Sequence, residues 1–544
     1  MSARRGRWLS ALAYIVMGSA VPAAPVLAQV EDVPAIAQGP FYTDPNPLWR
    51  SPALIGMGKL TLAEDVNNHL ELWDFARNPA GIADADTSTT LQVRPGIATA
   101  SVQQAMPLGQ PVIHQLLDTR QGIMGYEVWR RTANGNAYGF YGDVLADRFA
   151  EPYDAATGLS SRLNTPGGTL ALNGRVPFWG NGRMHYSLRG TYTKGKTEDV
   201  YSFLAVNPTG VYLDKGGDRV APPDFFTPDE SKNTYVGAGG ALSYRFGTPL
   251  TAALAGDYLE ERMSGSNEDD RHVLGTTEKR PYGLGQATLM GRIGKNVQWI
   301  ADGKTWQAAD QERFDFSLSA GTTTLPLTGR GIVDQRFEEG SQLRTRLQWE
   351  QHGWQVAGSL DTWYQRVRIT APDPSDPNSY NAFLNSIVYR PSADSLVIPD
   401  SVRTNQSDVR GYEYAIGGSR VLSKRGGRIG AEYHWLRSRT DQTTSGPGPR
   451  MQGWDVRAGL EYPCAPLLRG RAGYVLRRWD ADTFTAQNEY VTQTVTTGFG
   501  VGPASGHWSV EAAYAYQWGG PDYGEPYGLR GHQQQVAAQL RWEL

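Results

Sequence analysis

From about residue 125 to its C-terminus the chain repeats one pattern: a run of strict two-residue alternation, a turn, and another such run. Met184, Tyr186, Leu188, Gly190 and Tyr192 share one face of such a run, with His185, Ser187, Arg189, Thr191 and Thr193 on the other. Leu343, Thr345, Leu347 and Trp349 alternate with Gln342, Arg344, Arg346, Gln348 and Glu350. Trp508, Val510, Ala512, Tyr514, Tyr516 and Trp518 alternate with Ser509, Glu511, Ala513, Ala515 and Gln517. A helix would repeat its apolar residues at i, i+3 and i+4, so a period of two specifies strands with two unlike faces. Strands of soluble sandwiches average ~5–6 residues. Most of these runs reach the ~9–11 residues that a tilted strand needs to cross a bilayer. The pattern therefore predicts an all-β, antiparallel, up-and-down transmembrane barrel over residues 88–544.

Averaged hydropathy does not argue against a membrane here. The mean of -0.46 is what results when lipid-facing and lumen-facing residues alternate. The 16 Trp and 27 Tyr far outnumber the 15 Phe, as aromatic girdles at two membrane interfaces require. A net charge of -3 gives no reason to expect a nucleic-acid partner. The single cysteine, Cys464, excludes an intrachain disulfide and a multi-cysteine metal site, and its surroundings read as a short turn.

The N-terminus sets the compartment. Arg4, Arg5 and Arg7 precede a short apolar stretch from Trp8 to Ala20, and Val26-Leu27-Ala28 offers a cleavage site. Residues 1–28 thus read as a secretory signal peptide, and the mature chain begins at about Gln29. With the barrel pattern this predicts the bacterial outer membrane, and its lipid as a partner.

Connection lengths give the orientation. Short turns fall at residues 177–182, 247–249, 294–296, 351–353, 423–427, 463–466 and 502–506. Longer polar connections fall at about 197–233, 263–281, 310–338, 371–408, 438–450 and 519–530. Outer-membrane barrels keep short turns in the periplasm and long loops outside. The recognisable runs begin at Tyr126, and that first run descends. A periplasmic N-terminus then requires one ascending strand upstream, placed at Thr89–Arg94 and expected to be short because Pro95 and Gly96 follow. The total expected is about eighteen strands, with sixteen as the alternative, a width that side chains alone do not fill.

The last run alternates Val536, Ala538, Leu540, Trp542 and Leu544 with Gln535, Ala537, Gln539, Arg541 and Glu543. It is similar to the terminal strand read by the barrel assembly machinery, which makes that machinery an expected partner. The usual terminal aromatic is displaced here to Trp542.

Residues 29–87 lack the barrel pattern and read as an N-terminal plug or periplasmic segment. They contain Trp73 and Phe75, followed by Asn78, Pro79, Ala80 and Gly81 and then Ile82. Aromatic residues leading into Asn-Pro-Ala-Gly resemble a motif of the long-chain fatty acid outer-membrane transporter family. There the motif lies in a plug just before the first strand. The resemblance implies that Asn78, Pro79, Ala80 and Gly81 form a constriction that ligand binding rearranges. That family usually has fewer strands, roughly fourteen, and Asn78-Pro79 is also a good opening for an ordinary turn.

Positions on the predicted lumen face carry both charges. Arg189, Arg344, Arg346, Arg457 and Arg471 are among the cations, with Arg175, Arg469 and Arg541. Asp361, Glu432 and Glu461 are among the anions, with Glu350, Asp455 and Glu511. Such charges cost ~2–4 kcal/mol on a mid-depth lipid face, so their confinement to one face supports the register. They read either as ladders of cross-strand pairs or as a wall that selects solutes.

Other strings carry less. Glu268-Asp269-Asp270-Arg271-His272, and Asp373, Asp376, Asp394 and Asp400, read as solvated acidic loops rather than cation sites. Gly190 to Thr197 fits a phosphate-loop string, but no helical pattern follows it, as that motif needs. No local hydrolase or zinc motif occurs, and no cofactor is expected. The functional expectation is a non-enzymatic channel for passive uptake of a small or amphipathic solute, with its lumen gated by the N-terminal segment. A barrel for surface-polymer export or assembly is the main alternative, and an outer-membrane hydrolase the remote one.

Overall fold

The computed structural model describes residues 52–58, 60 and 62, and the strands with most of their tight turns between residues 89 and 543. The signal sequence and residues 63–88 fall outside the described residues. A five-residue helix, α1 (Pro52–Gly56), precedes the sheet. The first strands are β1 (Thr89–Met106), β2 (Ile113–Arg131), β3 (Ala137–Ala150), β4 (Leu159–Asn164), β5 (Gly167–Arg175) and β6 (Met184–Tyr201). A small separate hairpin follows, β7 (Ala205–Asn207) and β8 (Gly210–Tyr212). Next come β9 (Asp229–Arg245), β10 (Leu250–Glu268), β11 (His272–Ile293), β12 (Val297–Leu318), β13 (Leu327–Gln351) and β14 (Trp354–Pro372). The chain continues through β15 (Val402–Val421), β16 (Arg428–Gln442), β17 (Gly446–Ala465) and β18 (Leu468–Asp482). It ends with β19 (Gln487–Val501), β20 (Trp508–Asp522) and β21 (Arg530–Glu543).

Apart from the β7–β8 hairpin, all of these strands belong to one 19-stranded sheet. Sequential neighbours pair antiparallel around it, and β1 pairs with β21 over Thr90↔Glu543 to Gln103↔Arg530. First-to-last pairing closes the sheet into a barrel. Strands β4 and β5 both pair with β6, end to end, so they form one interrupted traverse. Among the described residues the barrel therefore has eighteen staves.

The two faces differ as the alternation requires. Leu188, Tyr192, Leu242, Leu254, Ile416, Val495, Val536 and Trp542 are exposed on the outside. His185, Ser187, Arg189, Gln348, Glu432 and Arg457 are buried on the inside. On the outside, Trp435 packs against Tyr412 and stacks on Tyr414, with centroids 5.4 and 5.0 Å apart. An apolar exterior around a polar interior reverses the arrangement of a water-soluble protein and suits a lipid surround.

Two expectations change in detail. The upstream strand is not short: β1 continues through Pro95 and Gly96, which lie opposite Met124 and Ile123 of β2. Pro95 has no N–H to give, yet the strand can pass through it because the pairing on either side holds the register. Several expected outer loops are also largely strand. Between Glu268 and His272 only the tip of the predicted 263–281 connection is unpaired, and β12 and β13 extend well into 310–338. Above the bilayer both faces of a hairpin meet water, so pairing continues where the alternation that marks a strand in sequence is lost. As expected, Gly190–Thr197 lies wholly within β6 and has none of the helix that a phosphate loop needs.

Depth on the outer face should control stability. Ile416, 60% exposed, lies within the apolar band, and Ile416→Arg is expected to destabilise the barrel by ~2–4 kcal/mol. Urea titration of protein refolded into vesicles, followed by heat-modifiable gel mobility, measures this. Unchanged stability would mean that this face does not meet lipid.

Candidate functional site: the lumen wall and the segment docked on it

The inner wall is built from charge pairs between near neighbours. Arg189 meets Asp257 at 2.7 Å across two strands. Asp361 accepts from Arg344 at 3.0 Å and from Gln342 at 2.8 Å. Arg457 and Arg477 both donate to Asp455, at 3.0 and 3.2 Å. Arg471 joins Glu461 at 2.6 Å to Glu511 at 3.3 Å, and Arg469 approaches Glu461 at 3.7 Å. His434 sits between Glu413 at 2.8 Å and Glu432 at 3.0 Å. Most of these side chains meet a counter-charge on the same or an adjacent strand, which is the ladder arrangement, while Arg189–Asp257 and Arg471–Glu511 reach past one intervening strand, β9 and β19. The wall is therefore patterned with both signs rather than with a field of one sign.

Against this wall lie residues 52–58, 60 and 62. Ile55 packs on Ala513, Ala515 and Ala537, inward residues of β20 and β21. Leu62, at the other end, packs on Ala357 of β14 and Ala415 of β15. The segment thus runs along the inner circumference, like a strap, from β21 to β14.

Between these ends Met57 and Leu60 are buried together, and backbone groups supply the polar contacts. Gly58 N–H donates to Thr496 Oγ1 at 2.9 Å, and the same hydroxyl donates to the Gly56 carbonyl at 3.0 Å. Leu62 N–H donates to the Glu432 carboxylate. Arg346 donates to the Leu62 carbonyl at 2.9 Å and to Gln348 at 2.9 Å. Both backbone polar groups of Leu62 are therefore satisfied by charged wall residues, the stronger kind of hydrogen bond.

The floor under the strap is made of glycine. Gly430, Gly459, Gly473 and Thr496 are consecutive register partners across β16 to β19. A Cβ on Gly459 would lie 2.0 Å from the Met57 carbonyl oxygen, and one on Gly473 would lie 2.1 Å from Gly58 N. Gly58 itself has φ +76, and a Cβ there would meet the Ala458 carbonyl at 2.4 Å. Gly58 is needed for its conformation, Gly459 and Gly473 for the closeness of approach.

The residues expected on the lumen face divide by role. Glu432 and Arg346 touch the strap directly. Arg471 lines its floor, its Cβ lying 3.2 Å from where a Cβ of Gly56 would stand. Arg189, Arg344, Asp361, Arg457 and Glu461 belong to wall pairs. Trp73, Phe75, Asn78, Pro79, Ala80 and Gly81 lie outside the described residues, as do Asp269, Asp270, Arg271, Asp373, Asp376, Asp394 and Asp400. Ile55, Gly58, Leu62, Gly459, Gly473 and Thr496 were not anticipated from sequence. Their only signal is that glycine and alanine replace polar residues on the inward face of β17 to β21. Among the described residues there is no group of three or more His, Cys, Asp or Glu side chains placed to hold a metal.

A closed, eighteen-stave antiparallel barrel with an apolar exterior, a polar interior and short turns at one end has the architecture of a bacterial outer-membrane barrel, and this protein is one. No protein-family model and no curated protein matches the chain. Among solved structures it is similar to the Ralstonia pickettii toluene transporter TbuX, with 11% identity over 90% of this chain and 98% of that one and a TM-score of 0.36. It is also similar to a Pseudomonas aeruginosa FadL homologue, with 11% identity, 90% and 97% coverage and a TM-score of 0.31. A third similar structure is the ferric citrate transporter FecA in its unliganded form, with 8% identity, 83% and 78% coverage and a TM-score of 0.37. The class stated above rests on this chain's own strand pairing and its two faces.

Gly473 has no positive φ, so Gly473→Val suits the strand while closing the space that Gly58 occupies. Hydrogen–deuterium exchange should show the Gly58 and Leu62 amides protected in the wild type. In Gly473→Val they are expected to exchange at least about tenfold faster, equivalent to about 1.4 kcal/mol of lost protection. Equal protection in both proteins would show that the strap does not depend on the glycine floor.

Proposed function

We propose that the protein is a passive outer-membrane channel for small or amphipathic solutes, and that residues 29–87 form a plug that narrows its lumen. The observation that carries this reading is the double anchoring of Leu62 by Glu432 and Arg346. An N-terminal segment left in the periplasm would have no reason to meet a carboxylate and a guanidinium on the inner wall. The class of solute follows from the lining. Charge pairs alternate there with inward alanines that the strap covers with Ile55 and Leu62, so a solute that displaces the strap finds contacts for both a polar and an apolar part. Residues 1–28 would be removed on export, leaving Gln29 at the head of the plug. Asn78, Pro79, Ala80 and Gly81 would then lie between the strap and β1, where a plug must turn to enter the wall.

Eighteen staves enclose more space than side chains fill, so the plug should decide how far the pore conducts. Planar-bilayer recordings of the mature protein are expected to show small or intermittent conductance. A form lacking residues 29–85 is expected to show a stable conductance several-fold larger. Identical conductance in the two forms would remove the plug reading. An absence of conductance in both would favour a structural or assembly role for the barrel.

A further inference from the structure

The outer surface carries a feature that neither the lumen nor the plug uses. On β14 to β18, above the apolar band and toward the long connections, the outward residues change from aromatic and aliphatic to arginine. Strand β15 shows the sequence of layers. Ile416, Tyr414 and Tyr412 are exposed on its outer face, and Arg410 follows on the same face, exposed. On β16, Ile429, Tyr433 and Trp435 are followed by Arg437 and Arg439. On β17, outward Leu460, Val456 and Trp454 are followed by Arg450.

These arginines are in register with one another. Arg410 is the direct partner of Arg439, and Arg439 of Arg450. Three guanidinium groups therefore stand side by side on one face of three adjacent strands. Like charges placed directly opposite in a sheet are destabilising, so such a row persists only where something offsets the repulsion. Part of the compensation is internal. Arg439 meets Asp441 at 2.7 Å, Arg366 bridges Asp408 at 2.9 Å and Glu339 at 3.1 Å, and Arg478 meets Glu489 at 3.0 Å. Asp480 adds a further carboxylate to this face. Arg368, Arg410, Arg437 and Arg450 have no carboxylate partner among the described residues. Arg368 lies over the Phe337 ring at 4.7 Å and Arg410 over the Tyr364 ring at 5.6 Å. Stacking on rings leaves the edges of a guanidinium open to an anion.

The height of the row identifies the anion. On β15 and β16 it lies roughly ten residues above the short-turn ends of the strands, about the length that crosses a bilayer. Directly beneath it is the Tyr412, Tyr414 and Trp435 layer, of the kind that marks a membrane interface. A soluble anion would require no apolar surface below the cations, whereas a lipid requires both. We propose that the outer face of β14 to β18 is a docking surface for a phosphorylated glycolipid of the outer leaflet. Its phosphates are received by Arg410, Arg437, Arg439 and Arg450, and its acyl chains lie on the apolar band below. Guanidinium is the side chain best matched to phosphate, offering paired donors in one plane. The proposal is independent of the channel reading, because these residues face away from the lumen.

Native mass spectrometry of the full-length mature protein in detergent tests it, using bisphosphorylated lipid A, its dephosphorylated form, and inorganic phosphate. The wild type should retain the bisphosphorylated lipid and lose it as ionic strength rises. Binding of the dephosphorylated lipid should be weaker by about tenfold or more, and so should binding of the bisphosphorylated lipid to the triple variant Arg410→Gln, Arg437→Gln, Arg450→Gln. Arg420→Gln, an outward arginine over Trp354 near the opposite end, should bind as the wild type does. The single variants Arg410→Gln and Arg450→Gln, each expected to give a several-fold loss, serve if the triple variant does not refold. Equal retention of both lipids, or equal binding by the wild type and the arginine variants, overturns the proposal. Displacement of the lipid by millimolar inorganic phosphate would mark a site for the free ion. Self-association of the wild type without lipid, lost in the variants, would mark an interface between copies.

Discussion

Inside a bilayer no water is available to a backbone N–H or carbonyl, and an unpaired group there costs several kcal/mol. A sheet meets this condition only by having no edge. The pairing of β1 with β21 supplies that condition, and the rest of the molecule depends on it. Once the sheet is closed, every residue in the membrane must face either lipid or lumen. The two-residue alternation then separates the chain into two surfaces with opposite chemistry. Leu540 and Trp542 of the last strand are exposed while Gln535 and Ala537 of the same strand are buried. A slip of one residue would exchange these sets, so closure and register are specified together.

The interior formed in this way is not a uniform polar tube. Its ion pairs neutralise one another locally, so the wall presents fixed dipoles rather than a net charge. The strap lies where this chemistry is interrupted. Ala513, Ala515 and Ala537 receive Ile55, Gly459 and Gly473 receive the Met57–Gly58 backbone, and Ala357 and Ala415 receive Leu62. Small residues let the strap approach to backbone contact, and Thr496, Glu432 and Arg346 then satisfy groups that this approach would otherwise leave without water.

What could be read in the sequence follows from what is local. Two-residue alternation over a bilayer's width is set strand by strand, so the barrel, its short-turn end and its faces were legible in runs such as Met184–Thr193 and Trp508–Trp518. Strand parity required an ascending strand upstream of Tyr126, and β1 is that strand. Above the membrane the rule no longer applies, because both faces of β10–β11 or β12–β13 meet water there, and those extensions looked like loops. The strap was invisible for a different reason. Its partners lie far along the chain, as Leu62 and Glu432 do, separated by 370 positions. Glu432 and Arg346 could be assigned to the inner face by parity alone, but nothing local indicates that both reach for one residue's backbone.

How the strap is held determines what could release it. All four of its polar anchors end on main-chain groups of Gly56, Gly58 and Leu62, and none requires a particular side chain on the strap. Ile55 and Leu62 near its two ends and Met57 and Leu60 between them add buried apolar side chains, each of the order of 1.5–3 kcal/mol when fully buried. Against these stands the cost of ordering the segment, ~1–2 kcal/mol for each residue's backbone. Gains and costs of similar size make docking a balance rather than a lock. A solute that competes for the Glu432 and Arg346 hydrogen bonds, or occupies the alanine patches, acts directly on that balance. The flat glycine floor offers no interlocking side chains to hinder withdrawal. The same close approach that lets backbone meet backbone therefore leaves the strap attached chiefly by groups for which an amphipathic molecule can substitute.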